Sequence, residues 1–133
     1  MTNDGTSEKR VYDLAERTAL FGEAILDFAM ALGRSPVVSP LVSQIVRSGT
    51  SVGANYCEAD DAVSRKEFLL KIGTCRKESR ETQFWLRMIA RAVPTSKDAG
   101  RHLYREAGEL HKIFSAIRRR GLGHPKPPPP PKG

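Results

Sequence analysis

The motifs of most enzyme chemistry are missing from this sequence. It has no H-E-x-x-H, no Cys/His spacing that would hold a metal, and no G-x-S-x-G nucleophile turn. The segment from Gly49 to Gly53 sets two glycines near hydroxyls, but the G-K-[ST] end of a phosphate loop does not follow. The histidines, His102, His111 and His124, stand without a partner motif. A non-enzymatic protein with no cofactor and no metal is expected. Long apolar runs are missing too, since nothing approaches the ~18–20 residues that span a bilayer. The opening MTNDGTSEKR is polar and acid-containing, unlike a secretory signal. A soluble cytoplasmic protein without a membrane partner is expected.

Cysteine is scarce. If the chain reverses near Val63, Cys57 and Cys75 differ in height by roughly 9 Å, beyond the ~7 Å Cα separation of a disulfide. Two reduced packing thiols are expected. Acids are in deficit, with 15 against 22 basic residues and a net charge of +7. Five of the basic residues lie from Arg118 onward with no acid among them. The rest of the chain is therefore close to balanced, and any polyanion affinity must come from local strips.

What the sequence does have is heptad rhythm. Phe68, Ile72, Cys75, Ser79, Thr82, Leu86, Ile89 and Val93 recur at four and three, the seam of a helix packed at small crossing angles. Ser64 and Glu67 form a capping box at its start, and Pro94 stops it. Upstream, Asp13 and Glu16 cap a helix whose seam is Leu14, Thr18, Phe21, Ile25, Phe28 and Leu32, with Gly33 after its end. Ser39-Pro40 reads as N-cap and first residue of a second helix. Its seam of Val42, Ile45, Gly49, Val52, Tyr56, Ala59 and Val63 runs unbroken through two glycines. Each glycine costs about 1 kcal/mol of helix propensity, yet the phase predicts one continuous helix, with Gly49 admitting a neighbouring backbone. A fourth helix, from about Asp98 to Arg119, carries Leu103, Ala107, Leu110, Phe114 and Ile117 and stops at Gly121.

Four long helices with short connections predict an all-α, antiparallel, up-down-up-down four-helix bundle over residues 12–120. Residues 1–11 read as a disordered leader, and 121–133 as a disordered, basic, proline-rich tail. Its five consecutive prolines favour polyproline II, with a ligand for a proline-recognising groove as the alternative use.

Three constellations lie outside the seams. The first is polar: Arg47, Ser51, Asn55 and Glu58 at helical spacing on helix two, with Glu78 and Glu81 beside the seam of helix three. Arg47 and Asn55 bonding the carboxylates to fix register is one reading; a solvated face with ordinary intrahelical pairs is the other. The second is an apolar excess on helix three, Leu70, Phe84, Trp85 and Met88, of a kind enriched at subunit interfaces. Leu70 and Phe84 stand opposite the seam, whereas a broad core face would absorb Trp85. The third is basic. Arg76, Arg80 and Arg87 run along one side of helix three with Gln83, and Arg91 lies close by. Arginines along a rod suit successive phosphates, while the interspersed Glu78 and Glu81 suit an ordinary charged surface. Arg118, Arg119 and Arg120 have no acid nearby, but they also offset a helix dipole.

The motif RSGTSVGANYCEAD, from Arg47 to Asp60, resembles the signature of the four-helix-bundle proteins named for intervening sequences of bacterial 23S ribosomal RNA genes. YDLAERT and SRKEFLLKIGTCRKESRETQFWLRMI are similar to that family as well, so the resemblance covers residues 11–119. It implies a left-handed antiparallel bundle, assembly into rings that are typically homopentamers, and no enzymatic activity. A distant branch resembles the accessory subunit of diversity-generating retroelements, which binds RNA and its reverse transcriptase. Residues and resemblance together predict a self-associating scaffold whose preferred partner is nucleic acid, structured RNA above DNA, held through phosphates. The alternative is a protein-binding accessory assembly, for example on a reverse transcriptase, with no direct nucleic-acid role.

Overall fold

The structure is a computed structural model that describes residues 13–123, so the leader and the proline run lie outside the described residues. Those residues form four helices and no strand: α1 (Leu14–Ala31), α2 (Val38–Asp60), α3 (Arg65–Ala92) and α4 (Lys97–Gly121). A single 3-10 turn, Pro94–Ser96, joins α3 to α4. None of the helices is long and apolar enough to cross a membrane.

The strongest caps are where local chemistry puts them. Asp13 Oδ1 accepts from the Glu16 amide at 3.1 Å, and Ser64 Oγ accepts from the Glu67 amide at 3.0 Å. Glu67 reaches back to the Val63 amide at 3.4 Å rather than to that of Ser64. From there α3 runs 28 residues, about 42 Å at 1.5 Å per residue. The glycine-containing centre of α2 is helical throughout.

Other boundaries differ from expectation. α2 starts before Ser39, and the hydroxyl that serves its first turn is Ser35 Oγ, which accepts from the Val38 amide at 3.0 Å. Pro40 therefore sits third in the helix, where its missing N–H still costs nothing, because the first four amides have no intrahelical acceptor. α2 ends at Asp60 rather than reaching Val63, which is 94% exposed. The amides of Asp61 and Ala62 turn back onto Cys57 and Ala59, so the reversal uses up the residues that would have continued the seam. α4 includes Gly121, and the left-handed residue is Gly123 at φ 76°. Gly121 answers to packing instead: a Cβ there would come within 2.2 Å of Leu69 Cδ2.

Each helix packs on the one that follows it, and α1 makes a thinner contact with α4. That contact includes a bidentate pair, Arg17 Nε and Nη2 on the two Glu106 oxygens at 2.7 and 2.8 Å. Ile25, Ile45, Val52, Ile72, Ile89, Leu110 and Phe114 are fully buried at the centre. The polar residues buried among them are satisfied: Thr82 donates to Ser48 Oγ at 2.9 Å, Ser79 to the Cys75 carbonyl, and Thr18 to the Leu14 carbonyl. Cys75 is buried, Cys57 is exposed, and both are free thiols. Burial pushes the Cys75 thiol up to about 12, leaving it protonated and inert.

The α1 backbone is near, since a Cβ on Gly22 would lie 3.9 Å from the Gly49 carbonyl oxygen, but the space left by the missing side chain of Gly49 is filled by a side chain. A Cβ on Gly49 would lie 2.8 Å from both Cγ atoms of Ile25. The closer backbone approach is one turn later, where a Cβ on Gly53 would lie 3.2 Å from the Thr18 carbonyl oxygen.

Candidate nucleic-acid interface

α3 separates its charges by side. Glu78 and Glu81 turn toward α2, where Arg47 Nη1 bonds both Glu78 oxygens at 3.2 Å and Nη2 bonds Glu81. Glu81 also accepts from Trp85 Nε1 at 2.9 Å, which ties the indole to the same cluster. Asn55 does not join it; its amide donates to the Ser51 carbonyl within α2, and Ser51 itself is half-buried. Glu58 pairs with Lys71 at 2.8 Å, a partner the helical spacing did not single out. The Glu78 side chain is only 17% exposed, so losing its cation leaves a carboxylate with little water. Arg47→Ala is expected to cost about 1 kcal/mol, read as a lower urea midpoint at unchanged slope. An unchanged midpoint would remove the case for a register-fixing network.

With Glu78 drawn to the α2 side and Glu81 paired there while still lining the α4 side, the basic residues dominate the face toward α4. Arg76 Nε donates to Ser115 Oγ at 2.9 Å, and Gln83 Nε2 donates to the Tyr104 carbonyl at 3.1 Å. These bonds pin both side chains over a hollow of about 770 Å³ between the helices, which Arg80, Arg87, Phe84 and Tyr104 also line. The wall from α4 is low because Gly108 has no side chain; a Cβ on it would come within 2.9 Å of the Gln83 amide. His111 lines the same hollow. Partial burial lowers its pKa, and the positive charges of Arg76 and Arg80 lower it further, so the imidazole is neutral at pH 7.

The hollow is the middle of a longer furrow. Toward the end of α4 it shares Arg76 and Lys77 with a second hollow of about 450 Å³, which adds Leu70 and Arg118. Toward the start of α4 it shares Arg87 and Tyr104 with a third of about 310 Å³, which adds Lys97 and Arg101. Among the described residues, the ion pairs involve none of Arg76, Arg80, Arg87 and Arg118. Arg91 and Arg120 are exposed, Arg119 is half-buried, and none of the three lines these hollows.

The four apolar candidates on α3 do not behave alike. Leu70 is 68% exposed and Phe84 51%, and each lines a hollow of the furrow. Trp85 is half-buried against the core and meets Phe84 edge-on, with ring centroids 5.0 Å apart; Met88 is also half-buried. Spacing on α3 alone located half of the furrow. The α4 half was missed, although Tyr104, Gly108, His111, Ser115 and Arg118 recur at four and three along one helical face.

No curated protein matches this chain. Among solved structures it is similar to a crystal structure of a protein with unknown function from the S23 ribosomal protein family of Bacteroides thetaiotaomicron. The TM-score is 0.69 at 28% identity, covering 79% of this chain and 97% of that one. The profile of the 23S rRNA-intervening sequence proteins matches residues 11–116, across all but the last turn of α4 and including every motif on α1, α2 and α3. The chain belongs to the 23S rRNA-intervening sequence protein family.

Proposed function

We propose that this chain is a non-enzymatic cytoplasmic binding module that self-associates and holds structured RNA by its phosphates. One observation carries the reading: Arg76, Arg80, Arg87 and Arg118, four arginines with no carboxylate partner among the described residues, line two adjoining hollows between α3 and α4. Guanidinium groups spaced along a groove suit a chain of phosphates, and each contact releases condensed counterions. The bundle behind it is proposed to be up-down-up-down and left-handed. The first point is supported by pairings such as Ser48 with Thr82, Val52 with Cys75 and Glu58 with Lys71. Exposed Leu70 supports self-association, for which family resemblance suggests a homopentameric ring. If exposed Phe84 joins Leu70 in an apolar contact, the second reading is favoured: a protein-binding accessory assembly such as a reverse-transcriptase subunit, with no direct nucleic-acid role.

Salt separates the two. A labelled hairpin RNA is expected to bind with log K falling linearly in log salt, with a slope near −3 to −4 for four phosphate contacts. Light scattering on the same sample should give a mass several times the 14.7 kDa of one chain. No RNA or DNA affinity at low salt overturns the nucleic-acid reading, and a monomeric mass at micromolar concentration overturns self-association.

A further inference from the structure

We infer that the middle of the furrow seats an unpaired nucleotide, with its base against Phe84 and Tyr104 and the flanking phosphates on Arg76, Arg80 and Arg87. This deepens the RNA reading and rests on it.

A duplex presents its phosphates on a convex surface and needs only a basic strip. This site is instead an open furrow between two helices, with about 770 Å³ of space, enough to take a nucleotide laid along it. It is also aromatic. Phe84 and Tyr104 are 51% and 46% exposed, and both stand inside the basic hollow rather than on a separate apolar face. Base–aromatic stacking is sequence-tolerant and combines naturally with arginines that follow the backbone. Unpaired loops are where RNA offers such faces, because a paired base keeps both of its own covered.

Three of the side chains at this site, Phe84, Gln83 and Arg76, are held in place. Phe84 is braced edge-on by Trp85, and Trp85 is anchored through Glu81 to Arg47 on the far side of α3. Gln83 is fixed on the Tyr104 carbonyl, and Arg76 on Ser115. Missing side chains at Gly108 and Gly73 leave the α3–α4 seam open where a Cβ would meet Gln83 or Arg118. The charged groups facing this space are Arg76, Lys77, Arg80 and Arg87 from α3, with Glu81 already engaged by Arg47 and Trp85. The pKa of His111 is lowered chiefly by burial, and the charges of Arg76 and Arg80 add to that shift.

The test uses the full chain and three probes at one salt concentration: a single-stranded oligouridylate of about ten nucleotides, a blunt RNA duplex of equal length, and inorganic pyrophosphate. The single strand is expected to bind at least tenfold more tightly than the duplex. Trp85, the one tryptophan of the chain, should change its fluorescence with the strand and not with pyrophosphate. Phe84→Leu and Tyr104→Leu should each lower strand affinity about tenfold with the salt slope unchanged, since neither removes a phosphate contact. Equal affinity for strand and duplex, together with variants that bind the strand like the parent, overturns the inference and leaves the phosphate reading standing. Binding of neither RNA overturns both. A fall in assembly mass for Phe84→Leu, with Tyr104→Leu unaffected in strand affinity, assigns Phe84 to a subunit contact and also overturns the inference.

Discussion

Gly49→Ala is expected to destabilise the fold by roughly 2 kcal/mol, against the grain of helix propensity, which favours alanine by about 1 kcal/mol. The added Cβ would lie 2.8 Å from both Cγ atoms of Ile25 and 3.1 Å from its Cβ. Because the Cβ of Ile25 is itself too close, changing its rotamer does not relieve the contact, and Ile25 is fully buried. α1 and α2 must therefore move apart, which loosens the packing on either side. Urea unfolding is the measurement, with Gly108→Ala as the control. There the new methyl meets only the amide end of Gln83 in an open furrow, so propensity should win and stability should hold or rise. Ile25→Ala in the Gly49→Ala background should cost less than in the parent, because the two changes share one space. A Gly49→Ala protein as stable as the parent would mean that this close approach of α1 and α2 is not a constraint.

What the sequence disclosed about this fold follows from how local each cause is. The caps at Asp13 and Ser64 are made within four residues, so spacing alone identifies them. Ser35 was hidden by a louder signal, Ser39-Pro40, because proline is compatible with any position in the first turn. Val63 kept the heptad phase without being in the helix; the phase records which residues would face the core and is silent about where the backbone turns. Small residues on a seam signal close approach but not its partner. The relative axial shift of α1 and α2 decides that Gly49 faces Ile25 and Gly53 faces the Thr18 carbonyl.

The candidate site divides in the same way. Arg76, Arg80 and Arg87 belong to one helix, and 3.6-residue geometry groups them at once. Tyr104 and His111 join them only through the register of α4 against α3, which contacts such as Gln83 to Tyr104 and Leu69 to Gly121 record. Glu78 and Glu81 are the instructive case. Read along one helix they dilute the arginines and argue for an ordinary charged surface. In three dimensions both pair with Arg47 on the other flank; Glu78 leaves the basic hollow, and Glu81 lines it with its charge already engaged, so the dilution shrinks to one paired carboxylate.

That separation sets the second large effect. Replacing Arg76, Arg80 and Arg87 together by glutamine is expected to flatten the salt slope of RNA binding by about 2, at ~0.7 per phosphate contact on a single strand. With affinities converging near ~1 M salt, that amounts to about a 100-fold loss at ~0.1 M. Folding should survive, because Arg80 and Arg87 are exposed and the bond from Arg76 to Ser115 is one partly buried contact. The control is Arg91→Gln with Arg120→Gln, which removes two exposed cations that line none of the hollows. If binding followed net charge alone, the pair would lose about two-thirds of what the triple loses, in proportion to the charges removed. If the furrow holds the phosphates, the pair should leave the slope within about half a unit of the parent. Equal slopes for the triple variant and the parent would place the phosphates elsewhere. The positive charge of α3 would then be an ordinary solvated surface, and exposed Leu70 and Phe84 would become the better guide to what the assembly binds.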